Sequence, residues 1–200
     1  MRRTFALLLL LAACRPDVPN LDSPGRTIVC LGDSMTAGVG VASGEAYPEL
    51  LAARLGTDVI NAGVSGETAA QGLARLDDVL AQDPWLVVVE LGGNDILHQV
   101  PPEQTERSLR AILDRLLAAR VVPVLIEMDA PLVGGRYREI YARLGGEYHV
   151  PVVEDAVGEI LRDAALKSDT IHPNAQGQKL LAEAVAGEIE PLIAARRKRR

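Results

Sequence analysis

Two kinds of apolar pattern alternate along this chain. Short unbroken runs suit strands buried on both faces, and longer stretches with apolar residues every three or four positions suit helices. Thr27 opens the pattern, and Ile28-Val29-Cys30-Leu31-Gly32 is a run of the first kind, broken into a polar Asp33-Ser34 turn. Tyr47 to Leu55 predicts a helix with Pro48 in its first turn. Asp58 to Ile60 reads as a short strand ending at Asn61-Ala62-Gly63-Val64-Ser65-Gly66, and Thr68 to Gln82 as one helix that tolerates Gly72. Trp85 to Leu91 reads as a continuous apolar strand that stops at Gly92-Gly93-Asn94-Asp95. Thr105 to Arg120 is amphipathic, with Leu109, Ile112, Leu113, Leu116 and Leu117 on one face. Val121 to Met128 is the next strand, Arg136 to Tyr148 a helix, Val150 to Val153 a last short strand, and Asn174 caps a terminal helix reaching about Ala195.

Strands that alternate with helices imply a parallel sheet covered on both faces. The expected architecture is α/β: one three-layer α/β/α domain over residues 27–195, with a flavodoxin-like, mostly parallel five-stranded sheet. A length of 200 residues fits a single domain with a real core. The net charge of −6 gives no electrostatic support to nucleic-acid binding, and none is expected.

The N-terminus follows another logic. Arg2 and Arg3 precede an apolar stretch from Phe5 to Leu11, then Leu11-Ala12-Ala13 and Cys14. That order is a secretory signal, too short to span a bilayer stably. Leu-Ala-Ala-Cys resembles the bacterial lipobox, in which the cysteine becomes the lipidated first residue. Residues 1–13 are therefore expected to be a lipoprotein signal peptide, and 14–26, rich in Pro and Gly, a lipidated extended tether. By the same resemblance, Arg15 after the cysteine favours the outer membrane of a two-membrane cell. The protein is expected in the cell envelope, held by lipid on Cys14 and facing the periplasm or the extracellular side. Residues 196–200 read as a basic tail, a solvated helix end favoured by the helix dipole. Cys30 reads as a buried, inert thiol, no Cys/His spacing suggests zinc, and no metal or cofactor is expected.

Candidate chemistry gathers where strands end, because the carboxyl ends of parallel strands open on one crevice. Ser34, the Gly63–Gly66 loop and Asn94 all sit at such ends. Ser168-Asp169-Thr170-Ile171-His172-Pro173 lies just before the last helix. A serine nucleophile needs a base, and a histidine base needs a group that fixes its tautomer. Of the three histidines, His149 beside Tyr148 reads as structural, and His98 as at most a pocket rim. His172 has Asp169 three residues before it, a spacing that a tight turn can close.

The blocks Leu-Gly-Asp-Ser, Asn-Ala-Gly-Val-Ser-Gly-Glu-Thr, Val-Glu-Leu-Gly-Gly-Asn-Asp and Asp-Thr-Ile-His-Pro occur in this order, with Gln71-Gly72-Leu73-Ala74-Arg75-Leu76 between. Together they resemble the GDSL-type, or SGNH, hydrolases, and within them the periplasmic branch of acyl-CoA thioesterases, lysophospholipases and arylesterases. The resemblance implies a serine esterase with Ser34 as nucleophile, His172 as base and Asp169 orienting it. It also implies an oxyanion hole made of the Ser34 N–H, the Gly66 N–H and the Asn94 side-chain amide. The expected partner is a small-molecule acyl ester, with thioesters and lysophospholipids as further substrates. Asp33, Glu67 and Asp95 read as carboxylates that fix loops, and Gly63 as turn geometry. The segment from Asp129 to Tyr137 departs from the family pattern and, with Ile96 to Pro102, is expected to border the acyl pocket.

Other readings fare worse. No Gly-x-Ser-x-Gly or Ser-x-x-Lys motif is present, and Gly38-Val39-Gly40 falls short of a dinucleotide fingerprint. A deacetylase or acyltransferase acting on envelope glycans is the alternative within the enzyme class. A lipoprotein that binds a ligand without turning it over is the alternative outside it.

Overall fold

The computed structural model describes residues 18–129 and 135–199. The signal peptide, Cys14, residues 130–134 of the predicted pocket border, and Arg200 lie outside the described residues.

The chain folds as β1 (Thr27–Gly32), α1 (Ser34–Ala37), α2 (Tyr47–Leu55), β2 (Val59–Gly63), α3 (Ala69–Ala74), α4 (Leu76–Leu80), β3 (Pro84–Glu90), α5 (Gly93–Leu97), α6 (Pro102–Ala118), β4 (Val122–Ile126), α7 (Arg136–Tyr148), β5 (Val152–Val153), α8 (Ala156–Arg162), a 3₁₀ turn at Ala164–Leu166, and α9 (Ala175–Arg199). The five strands form one sheet in the order β2-β1-β3-β4-β5, every pairing parallel. The architecture is thus α/β with the flavodoxin-like strand order. Helices α2 and α9 pack together on one side of the sheet, joined by α8; α3, α6 and α7 cover the other. All residues of β3 and β4 are buried, which is why those strands read as unbroken runs rather than alternating ones. Cys30 is fully buried, and burial pushes its thiol up to about 12.

Four expectations need correction. The helix foreseen over 68–82 divides at Arg75, whose backbone (φ −106°, ψ 15°) leaves the helical region. Its side chain is drawn back to Glu67 and to the Gly32 and Ala62 carbonyls at the ends of β1 and β2. The run Trp85–Leu91 is not wholly apolar, since the strand ends on a fully buried acid, Glu90.

The other two concern the chain ends. Residues 18–26 are not an extended tether: Leu21 and Ser23 are buried, and the Asn20 amide donates to the Leu117 and Val121 carbonyls. The basic tail is not simply solvated either, because α9 continues to Arg199. Arg196 lies 4.5 Å over the Trp85 ring and donates to the Ser23 and Gly25 carbonyls. A cation stacked on an aromatic face extends the helix past the point where its apolar pattern stops.

Candidate active site

In this strand order the topological switch lies between β1 and β3, so a ligand crevice should open at their carboxyl ends. Gly32 and Glu90 pair there in register, and the loops that follow carry Ser34 and Asn94. Ser34 begins α1, whose N-cap Asp33 accepts from Met35 N at 3.0 Å through Oδ1. Such a cap satisfies one N–H that the helix cannot satisfy itself and fixes the serine one residue from the strand.

Opposite stands the turn before α9. Asp169 Oδ1 accepts the backbone N–H groups of Ile171 (2.9 Å) and His172 (2.8 Å), an Asx-type closure. The turn is shut behind by Ser168 N–H on the His172 carbonyl, and by the Asn174 amide on the Ala165 and Lys167 carbonyls. Asn174 Oδ1 accepts from Gln176 N and Gly177 N, the expected cap of α9. The local rigidity of this turn therefore comes from two short polar side chains.

Across the crevice the side chains form a chain of hydrogen bonds. Asp169 Oδ2 lies 2.7 Å from His172 Nδ1, and His172 Nε2 lies 3.1 Å from Ser34 Oγ. With Nδ1 protonated against the carboxylate, Nε2 is left as an acceptor aimed at the hydroxyl. The competing acceptor, Asp33 Oδ1, is farther from Oγ, at 3.5 Å. The hydrogen bond from His172, then the two backbone N–H groups, hold the Asp169 carboxyl down at about 2. Asp169 is therefore charged throughout any ordinary assay range, although half its side chain faces solvent.

Asn94 is buried on the same side, and its amide is already engaged. Nδ2 donates to Asp33 Oδ2 (2.8 Å) and to the Glu67 carbonyl (3.0 Å). To serve an oxyanion, the amide must exchange one of these acceptors for the substrate. Gly66 lies in the loop after β2, at φ +85°, with open space where a side chain would be. Only glycine takes that backbone conformation without strain, and its N–H takes no acceptor among the described residues. Gly63 has a different job: a Cβ there would meet Ala37 N at 2.2 Å, so it lets β2 pass beneath α1.

The carboxylates beside these residues tie the loops together. Asp95 accepts from Ala69 N and Thr105 Oγ1, and Glu67 pairs with Arg75. His98 and His149 are both exposed, and His149 caps the C-terminus of α7. Neither joins the site. Sequence reading passed over Glu90 and over Gln178, a fully buried side chain of α9. Gln178 accepts from Tyr47 N and donates to the Met35 carbonyl, fastening α9 to the nucleophile turn. Glu90 could have been flagged as an acid inside an apolar run, whereas Gln178 lies in a polar helix turn that carries no such signal.

Beside Ser34 a cleft open to solvent is lined by the apolar side chains of Met35, Ile96, Leu97, Met128 and Ile171, together with Asp33, Gly93, Asn94 and Asp129. Ile96 and Leu97 belong to α5, so this part of the apolar wall has a defined helical backbone. Another cavity, near Trp85 and Arg196, lies at the opposite end of the strands and includes none of Ser34, Asn94, Asp169 and His172.

Comparison with known proteins places this arrangement in context. The profile of the GDSL-like lipase/acylhydrolase family matches residues 30–180. The chain is similar to the thioesterase 1/protease 1/lysophospholipase L1 of Escherichia coli, with 40% identity over 176 residues, covering 84% of this chain and 85% of that protein. It is also similar to the esterase TesA of Pseudomonas aeruginosa, with 34% identity over 201 residues, covering 92% and 98%. Among solved structures, a crystal structure of TesA superposes with a TM-score of 0.76 at 32% identity, covering 84% of this chain and 99% of that one.

Proposed function

The chain belongs to the GDSL-like lipase/acylhydrolase family and hydrolyses ester bonds, and on that premise we propose that Ser34, His172 and Asp169 carry the reaction through an acyl-enzyme. The carrying observation is the unbroken hydrogen-bond chain from Asp169 Oδ2 through His172 to Ser34 Oγ. Ser34 Oγ attacks the ester carbonyl while His172 Nε2 takes its proton, then returns that proton to the departing alkoxide or thiolate. Water, deprotonated by the same nitrogen, attacks the acyl-serine, releases the acid and restores the hydroxyl. Negative charge on the carbonyl oxygen is met by the Ser34 N–H, the Gly66 N–H and the Asn94 amide. The two backbone donors are fixed before the reaction and need no reorganisation during it, whereas the Asn94 amide gives up one resting acceptor to join them. The ionised Asp169 stabilises the imidazolium that forms on the way.

Substrate choice follows from the cleft. Its walls are mostly apolar and open, so they bind an acyl chain by area and hold the leaving group loosely. Short and medium acyl esters, aryl esters included, are the proposed substrates, with thioesters and lysophospholipids as further ones. With one leaving group, kcat/KM should rise about fourfold per methylene, from about 0.8 kcal/mol each, until the cleft is filled. With one acyl chain, it should change far less across leaving groups. Assays on p-nitrophenyl esters, acyl-CoAs and lysophospholipids would test this. A strict preference for acetyl on a sugar would favour the glycan deacetylase instead.

The proposal extends to location: the mature chain begins at lipidated Cys14 and sits in the cell envelope, outer membrane favoured. The folded segment from Val18 packs against the amino ends of the strands, while Ser34 follows the carboxyl end of β1. A six-residue strand separates the two by about 20 Å at ~3.3 Å per residue. An anchored molecule would therefore turn its cleft away from the lipid that holds it. Wild-type protein should partition wholly with membranes after losing thirteen residues, since two or more acyl chains at about 0.8 kcal/mol per methylene hold firmly. Cys14→Ser should carry no lipid by mass spectrometry. A wild-type protein recovered without lipid from its native host would refute the anchor.

A further inference from the structure

Among the buried polar groups near the crevice, one belongs to no step described so far. Glu90 is fully buried at the end of β3, in a sheet whose other central residues are apolar. Placing a carboxyl there is costly unless its oxygens are well used. Oε2 is used three times: it accepts from Asp33 N at 3.1 Å, Thr36 N at 3.2 Å and Thr36 Oγ1 at 2.7 Å. Asp33 and Thr36 stand on either side of Ser34 and Met35.

We infer that Glu90 is a positioning residue for the nucleophile, gathering the backbone N–H groups on both sides of Ser34 onto one oxygen and so setting the turn from which Ser34 reacts. The inference rests on the nucleophile role proposed for Ser34.

Three further contacts fit this role. A Cβ on Gly32 would fall 1.9 Å from Thr36 Oγ1 and 2.6 Å from Glu90 Oε2, so the glycine opens the space in which the two side chains meet. Thr36 Oγ1 also lies 3.1 Å from the buried Tyr47 hydroxyl; with the threonine proton committed to Glu90, tyrosine is the donor. Asp33, whose N–H Glu90 holds, receives Asn94 Nδ2 on its own carboxylate. A shift of Glu90 would therefore move both the serine and the amide proposed for the oxyanion.

The contacts require an oxygen at a fixed place rather than a charge. Burial pushes the Glu90 carboxyl well above the usual carboxylate range, and the adjacent Asp33 carboxyl adds to the push. The other oxygen, Oε1, is buried without a partner among the described residues, which suits a group that is not ionised. Glutamine can supply the same oxygen at the same reach; aspartate keeps an acid but withdraws it by about one C–C bond, ~1.5 Å.

Glu90→Gln and Glu90→Asp separate position from charge. With a p-nitrophenyl ester, Glu90→Gln should keep kcat within about fivefold of wild type. Glu90→Asp should lose about thirtyfold in kcat with KM within about threefold, since small misplacements of a reacting group cost rate rather than binding. The rate constant for phosphonylation of Ser34 by a fluorophosphonate should fall in parallel. Being a per-site quantity, it is independent of how much protein folds. Wild-type kcat in Glu90→Asp, equal losses in both variants, or a loss confined to KM would each overturn the inference. A wild-type enzyme that takes no label at Ser34 would instead overturn the nucleophile assignment.

Discussion

Ser34→Ala should abolish ester hydrolysis, lowering kcat by about 10⁶, a barrier increase of about 8 kcal/mol. The change removes the bond-forming oxygen while leaving the cleft, the Ser34 N–H and His172 in place. KM should stay close to wild type, because the oxygen contributes to bond making and little to binding. His172→Ala should be comparably damaging, since a hydroxyl at neutral pH is a poor nucleophile without an acceptor 3.1 Å away. Asp169→Asn should cost less than either: the base remains, but the carboxylate that fixes its tautomer does not. All three should stay folded, because one polar contact is worth only about 1 kcal/mol net. Initial rates over the ester series, alongside thermal melts, would check the set. Residual activity in Ser34→Ala within tenfold of wild type would contradict it.

Asn94→Ala should lower kcat by about 10²–10³ with little change in KM. Two losses combine in this variant. One is the donor that tightens on the oxyanion in the transition state. The other is the tie between the loop after β2, through the Glu67 carbonyl, and the nucleophile turn, through Asp33 Oδ2. The second loss leaves Asp33, a buried carboxyl, with one donor fewer. Burial already raises its pKa, opposed by the Met35 N–H, and removing a donor should raise it further. A kcat equal to wild type would move the oxyanion donor to another group.

The convergence of Ser34, Asn94, Asp169 and His172 was legible in the sequence for a topological reason. Once β1 and β3 are read as parallel, their carboxyl-end loops must face the same crevice, and the short Asp169-to-His172 spacing closes locally. The strands β3 and β4 and the helices α2 and α7 were legible because burial on one stripe or both faces writes a clear period. What escaped depended on contacts between distant parts of the chain. The break at Arg75 follows from carbonyls at the ends of β1 and β2. The docking of residues 18–26 follows from Asn20, whose acceptors lie about a hundred positions away. The extension of α9 through Arg196 depends on Trp85. None of these partners is visible in a local window.

Within the site, residue types were easier to read than their commitments. An asparagine after a strand can be picked out as a donor, but not that both its amide hydrogens are taken at rest. Glu90 is visible as a single acid in Val87-Val88-Val89-Glu90-Leu91, but nothing local says what it holds. Its meaning appears only when Gly32 pairs with it across the sheet and the turn after β1 folds over its carboxyl.

Covalent labelling tests the central claim most directly. The enzyme would be inactivated with a fluorophosphonate, digested, and the adduct located by mass spectrometry while residual esterase activity is followed. Stoichiometric label on the peptide bearing Ser34, activity lost in proportion, and no label in Ser34→Ala are the predicted results. Label on another residue, or full activity in a quantitatively labelled enzyme, would contradict the account.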